Sequence, residues 1–260
     1  MRPKLNVLSL FSGIGGLELG LERAGMTTVG QVEIDPYCQR VLAQHWPEVP
    51  RHDDVVTAPD WWESESRPRV DVVCGGFPCQ PFSQAGKQLG TSDDRWMWPA
   101  MVDVIRGVRP NYVLVENVAQ LVRDGLAFGT VLADLHALGF DAEWSTLRAS
   151  DFGAPHPRER VYLLAYAASE RGGAHDHVVQ SGAGHSPIAA GGLSRLPVHR
   201  RRQQASAWLE REPRVARLVD GVPAQVDRLR TLGNAVVPQV AEHIGRLIVD
   251  DYEKRQERAA

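Results

Sequence analysis

Short apolar runs alternate with segments of helical period along most of this chain, and each run ends in glycine, proline or acidic punctuation. V-L-S-L-F (7–11) leads into S-G-I-G-G, after which Leu17, Leu21 and Ala24 recur at helical spacing. Val29–Ile34 reads as a second strand, and Asp35-Pro36 opens a helix over Tyr37–Trp46. Val70–Cys74 is a continuous buried run, Met101–Val108 is helical, and Tyr112–Glu116 is again a strand. A helix over Thr130–Leu138 stops at Gly139, and Arg160–Tyr166 closes the series. Strands joined by helices of this length predict an α/β fold with a Rossmann-like, doubly wound, mostly parallel sheet. In such sheets ligands lie beyond the carboxyl ends of the strands, so chemistry is expected there.

The pattern lapses after Ala167. Residues 168–207 hold six glycines and little apolar periodicity, which reads as a loop-rich insert. Regular pattern returns at V-P-Q-V-A-E-H-I-G-R-L-I-V-D-D-Y (237–252), where Val240, Ile244, Leu247, Ile248 and Tyr252 form one helical stripe. The chain therefore divides into 1–167, 168–228 and 229–260. A net charge of −3 does not announce a polyanionic partner, yet residues 171–207 carry five arginines against Asp176 alone. That stretch reads either as a solvated loop or as a nucleic-acid surface.

Cys38, Cys74 and Cys79 are the only three cysteines, and no C-x-x-C or C-x-x-H spacing occurs. An odd, sparse set predicts a reducing, cytoplasmic setting, with no disulfide framework and no metal site. The start of the chain reads as a first strand rather than a signal peptide, and no apolar run is long enough to span a membrane. Cys79 lies in G-G-F-P-C-Q-P-F-S (75–83), a rigid loop after a strand. With disulfide and metal readings weak, packing and nucleophilic roles remain for it.

Other strand ends carry chemistry too. F-S-G-I-G-G (11–16) follows the first strand and opens the first helix, where small residues admit a ligand close to backbone. A strict dinucleotide fingerprint needs glycine at position 18, where this chain has Glu18. Glu33, about 20 residues on, is placed to accept from ribose hydroxyls, which favours an adenosine-bearing ligand over a plain tight turn. Asp54, in H-D-D-V, is read equally well as an acidic turn. E-N-V (116–118) ends another strand, and Arg158 and Arg160 share one face of the strand that P-H-P-R-E-R enters.

In this order, F-S-G-I-G-G, V-E-I-D, G-G-F-P-C-Q-P-F-S, E-N-V, R-E-R and R-L-R-T-L-G-N-A-V-V-P-Q resemble the motif set of the DNA cytosine-5 methyltransferases, in the bacterial or bacteriophage form with a short recognition region. The resemblance covers roughly residues 5–165 and 229–250. It implies S-adenosylmethionine as cofactor, no metal, and a cytosine flipped out of double-stranded DNA as substrate. Residues 1–167 would be the catalytic and cofactor-binding domain, 168–228 the target-recognition region, and 229–260 a segment returning to the catalytic domain.

Cys79 matches the nucleophile that adds to C6 of the base, and Glu116 the acid that hydrogen-bonds near N3. Arg160 and Arg158 match the groups that hold O2 or orient the carboxylate. Phe11, Gly13, Ile14, Gly15, Gly16, Glu33, Ile34, Asp54, Val55, Pro78, Asn234 and Ala235 match the cofactor pocket. Gln80, Ser83 and Arg95 fall in the family's mobile loop over DNA, and Arg200, Arg201 and Arg202 are assigned to DNA contacts. A cognate restriction endonuclease is one system partner the resemblance brings with it.

The chain departs from the family pattern in three ways. His156 stands where glutamine is common, V-A-R-L-V-D-G-V-P (215–223) is a degenerate form of the linker motif, and the recognition region is short. Two rivals stand beside this reading. An RNA cytosine-5 methyltransferase would carry a Cys-Phe-Thr tripeptide that is absent here. A catalytically silent DNA-binding member would not need Cys79, Glu116 and Arg160 together.

Overall fold

The structure, a computed structural model, describes residues 4–78, 96–168 and 235–259. Strand β1 (Asn6–Leu10) is buried on both sides, which is why its sequence is an apolar run interrupted only by Ser9. It is followed by α1 (Gly16–Arg23), β2 (Thr27–Val32), α2 (Pro36–His45), β3 (Arg51–His52), α3 (Ala58–Glu63) and β4 (Val72–Gly75). Then come α4 (Trp98–Val108), β5 (Tyr112–Val118), α5 (Gln120–Arg123), α6 (Gly125–Ala137), β6 (Phe140–Arg148), β7 (Glu159–Ala167) and α7 (Pro238–Ala259).

The seven strands form one sheet in the order β3-β2-β1-β4-β5-β7-β6. Each pair from β3 to β5 is parallel, and β7 is antiparallel to both of its neighbours. The sheet is therefore mostly parallel, as the alternating pattern predicts. Chain order runs outward from β1 through β2 and β3 on one side and from β4 to β5 on the other, where β7 then inserts between β5 and the edge strand β6. Loops leaving β1 and β4 consequently diverge, and the crevice between them is the natural ligand position of an open α/β sheet.

Helices cover both faces. Side chains of α3, α4 and α6, including Trp62, Trp98, Met101, Phe128 and Val131, pack on Leu8, Leu10, Val73, Val113 and Val115. On the opposite face Leu17 and Leu21 of α1 and Val240, Ala241, Ile244 and Ile248 of α7 pack on Val7, Val72, Tyr112, Leu114 and Leu164. α7 extends beyond the stripe read from the sequence, and Tyr112 donates a 2.8 Å hydrogen bond to its Asp251.

Sequence pattern missed three elements. β6 reads D-A-E-W-S-T in its middle and is mostly half-exposed, because it is the edge strand and one side meets solvent. α3 and α5 are too short to display a period. α4 begins at Trp98 rather than at Met101, since Pro99 is well suited to a first helical turn.

α1 and α7 approach so closely that only glycine fits at their contact. A Cβ at Gly20 would lie 2.4 Å from both Ala241 Cβ and the Pro238 carbonyl oxygen, and one at Gly245 would lie 2.7 Å from Ala24 Cβ. Alanine at an ordinary helical site gains about 1 kcal/mol over glycine, whereas forcing a methyl into a packed backbone contact costs about 1–3 kcal/mol. With Cβ contacts as short as 2.4 Å the clash outweighs that gain, so Gly20→Ala should lower the unfolding free energy by up to about 2 kcal/mol in urea titrations. An increase in stability would show that the two helices separate without cost.

Candidate active site

The loop after β1 is held in an unusual shape. Phe11 has φ 53° although it carries a side chain, and Gly13 and Gly15 follow at φ 56° and 88°. A left-handed Phe costs about 1–2 kcal/mol, and such strain gathers where geometry serves a ligand. Ser12 N–H donates to Val32 O at 3.1 Å, and Gly15 N–H donates to Ser12 O at 3.0 Å. A Cβ on Gly15 would meet Trp46 at 2.4 Å, and one on Gly16 would lie 2.4 Å from Val236 O. The segment beginning at Ala235 thus returns directly beside the glycine loop.

Glu33 lies just past β2 and faces this loop. One carboxylate oxygen accepts from Gly13 N–H at 2.6 Å and the other from Asp35 N–H at 2.8 Å. Burial pushes its carboxyl above the ordinary range, while those backbone donors oppose the shift. A carboxylate has about four lone-pair sites, so two remain for hydroxyls. Ile34 beside it is 74% exposed, and Val56 is 61% exposed. Asp54 accepts from Val56 N–H at 2.9 Å and caps its own turn, while Val55 is buried in the core below. Of the cofactor set, the structure brings Gly13 and Glu33 into direct contact and sets Gly16 against the returning chain. Ile14 and Ala235 are half-buried, and Pro78 is exposed at the end of its strand loop.

A second cluster forms where β4 and β5 end and β7 begins. Glu116 is 8% exposed, and its Oε1 lies 3.3 Å from Arg160 Nε. Register explains the contact: Val118 is opposite Arg160 and Glu116 opposite Tyr162, so these side chains share a face of the antiparallel pair. Arg160 also donates to the Glu159 carbonyl at 2.8 Å. Burial drives the Glu116 carboxyl upward, and the charges of Arg160 and Arg158 pull against it. The guanidinium of Arg158 is itself pushed down by burial and by Arg160. The same pocket raises the Tyr162 hydroxyl, chiefly by desolvation.

Gly76 and Asn117 are the residues that motif reading named without a role. A Cβ on Gly76 would stand 2.9 Å from Glu116 Oε2, so the second glycine of G-G-F-P leaves room for the carboxylate. Buried Asn117 donates from Nδ2 to Phe77 O at 3.0 Å and accepts from Val118 N–H at 2.8 Å. Phe77 packs edge-on against Trp96, with ring centroids 5.2 Å apart at 86°. Both flanks of residues 79–95 are therefore anchored together. Cys79, Gln80, Ser83, Arg95, Arg200, Arg201, Arg202 and Asn234 lie outside the described residues. Among the described residues Cys38 and Cys74 are buried and form no disulfide, and burial raises the Cys74 thiol far beyond its usual range, which makes it inert.

A family model for C-5 cytosine-specific DNA methylases matches residues 5–189. The chain belongs to that family. Among its relatives, the Type II methyltransferase M.NgoBI of Neisseria gonorrhoeae is 37% identical over 163 residues, covering 62% of this chain and 50% of that protein. The Type II methyltransferase M2.BsuMI of Bacillus subtilis (strain 168) is 38% identical over 168 residues, covering 62% and 42%. This member of the family thus spans half or less of the length of these curated relatives. The Dnmt2 methyltransferase of S. pombe superposes with a TM-score of 0.52 at 26% identity, over 63% of this chain and 51% of that one. The Entamoeba histolytica methyltransferase EhMeth shares the fold across 96% of this chain and 99% of its own, with a TM-score of 0.63 at 16% identity. Among the described residues no group of side chains is arranged to hold a metal, and no helix is long and apolar enough to cross a membrane.

Removing the Asn117 amide leaves the buried Phe77 carbonyl without its donor, which costs about 1–3 kcal/mol. Asn117→Ala should lose stability of that order in urea unfolding. A change under about 0.5 kcal/mol would mean that the bond to Phe77 does not hold the loop.

Proposed function

We propose that the protein transfers a methyl group from S-adenosylmethionine to C5 of a cytosine in duplex DNA, through a covalent Cys79–C6 adduct on a flipped base. The observation that carries this reading is the buried Glu116–Arg160 pair, set against Gly76 at the root of the loop that bears Cys79. Family membership and the Type II names of the relatives support the same chemistry.

The residues at the end of β1 and β2 fit the cofactor. Glu33 keeps acceptor capacity for ribose hydroxyls, Ile34 offers an exposed apolar surface for adenine, and space around Gly13 is open. Phe11, Ile14, Gly15, Gly16, Asp54, Val55, Pro78, Asn234 and Ala235 complete the assigned set. When bound, S-adenosylmethionine supplies an electrophilic methyl group.

The chain's own residues prepare the base. C5 of cytosine is a poor nucleophile, and addition of the Cys79 thiolate to C6 makes it enamine-like. Burial favours the protonated form of Glu116, and a neutral carboxyl donates to N3 as charge gathers in the ring. Arg160, with Arg158 beside it, holds O2 and keeps Glu116 aimed. Loss of the C5 proton to a base then expels the cysteine and restores the ring. Gln80, Ser83, Arg95 and Arg200, Arg201 and Arg202 supply the DNA contacts, and residues 168–228 the target recognition. The Type II relatives support a restriction-modification setting, with a cognate endonuclease as system partner and the bacterial cytoplasm as location.

Bisulfite sequencing of plasmid DNA from cells expressing the protein tests the activity and reads out its target. Labelling of tRNA but not duplex DNA by radiolabelled cofactor would overturn the substrate. Cys79→Ala should lose methyl transfer by on the order of 10³-fold or more, with cofactor binding retained; unimpaired transfer would remove Cys79 as nucleophile. Because the folded pKa of Glu116 is raised, its neutral form is present at low pH and lost as pH rises through that value. Glu116→Gln should therefore lower kcat by about 10²–10⁴-fold and abolish the alkaline fall in the pH–rate profile. An unchanged alkaline limb would assign it to another group.

A further inference from the structure

The first turn of α1 carries a carboxyl group that solvent does not reach. Glu18 is fully buried, as are Ser9, Gln31 and Cys74. Gln31 of β2, Ser9 of β1 and Cys74 of β4 stand opposite one another in register, so they form a polar row on the sheet face that α1 covers. Glu18 lies beside the hydroxyls of Ser9 and Ser12. Among the described residues, neither its carboxyl oxygens nor the Gln31 amide atoms make a fully formed hydrogen bond.

Ser12 connects this row to the cofactor loop. Its hydroxyl donates to Ser9 Oγ at 3.1 Å, and its N–H donates to Val32 O at 3.1 Å. The next residue, Gly13, donates to Glu33 at 2.6 Å. A shift at Ser12 is thus passed to Gly13 and Glu33 together.

Among the described residues no cation faces Glu18. Glu22 lies one turn along the same helix and disfavours its ionisation. Cys74 faces it from β4 as a neutral thiol. On α7, which packs against α1, Glu242 is paired with Arg246, and His243 lies against Phe152. An unpaired charge in such a place is strongly disfavoured. The helix N-terminus and the nearby hydroxyls favour the anion, but burial outweighs them and pushes the carboxyl up to about 7.

We propose that Glu18 is a positioning residue, a neutral buried acid that braces the Ser9–Ser12 pair and so sets the glycine loop for S-adenosylmethionine. This rests on the cofactor reading given above. Neutral Glu18 is retained at low pH and lost as pH rises through about 7, since its folded value lies above the ordinary one. Ionisation then puts a charge under the loop, and cofactor affinity falls.

The test is isothermal titration of S-adenosylmethionine into wild type and Glu18→Gln between about pH 6 and 8.5, with thermal melts of both proteins over that range. The ligand's own amino group titrates equally in the two experiments, so their ratio isolates Glu18. Affinity of wild type relative to Glu18→Gln should fall by up to about tenfold per pH unit above 7. The melting temperature of wild type should fall relative to the variant in step. A Kd ratio constant within about twofold across the range would overturn the proposal. So would a Glu18→Gln protein that does not fold, because a neutral isostere is what the site is inferred to hold. Absence of cofactor binding by both proteins at every pH would sink the cofactor reading instead. The brace is then judged by the melts alone, with a wild-type decline relative to the variant supporting it and parallel melts rejecting it.

Discussion

The pairing of β4 with β5 sets the position of nearly everything chemical in this molecule. Cys74 lies opposite Leu114 and Gly75 opposite Val115, so the chain leaving β4 runs beside Glu116 and Asn117. That register places the glycine of residue 76 where the Glu116 carboxylate needs space, and the Phe77 carbonyl where Asn117 can hold it. Because successive side chains alternate between faces, slipping the pair by one residue would turn Glu116 to the other side of the sheet. The apolar sequences V-V-C and Y-V-L-V, buried on both faces, leave little freedom for such a slip.

Three carboxyl groups withdrawn from solvent illustrate how the fold sorts charge. Glu116 is given an arginine at 3.3 Å, yet burial still tips it toward its neutral form. Among the described residues Glu18 faces no cation and is tipped the same way, chiefly by burial. Glu33 is pushed in the same direction but keeps backbone donors on both oxygens. One acid thus sits against a positive side chain, one against hydroxyls, and one against peptide N–H groups. Buried pairs of the first kind are costly to break singly, by about 3–5 kcal/mol.

Much of this was legible in the residues. Continuous apolar runs identified the central strands, and their polar ends identified the edge at which Glu33, Glu116 and Arg160 gather. β6 escaped notice because an edge strand needs only partial burial, so its sequence carries little alternation. Residue-type arguments also could not find Asn117, whose role depends on a carbonyl forty positions earlier. Glu18 was legible only as a departure from a glycine pattern. Its significance needed the register that lines up Gln31, Ser9 and Cys74, which no local stretch encodes.

The seam between α1 and α7 has a consequence for how the protein is made. Gly20 and Ala241 touch, although more than two hundred positions separate them along the chain. During synthesis, α1 emerges early with Leu17 and Leu21 bare and must wait for Val240, Ile244 and Ile248 to cover them. The helix that follows the cofactor loop therefore gains its full support only when residues 238–259 have left the ribosome. Until then the nascent chain exposes an apolar face of the kind that chaperones bind, and a message cut short before α7 yields a chain that stays open along that face.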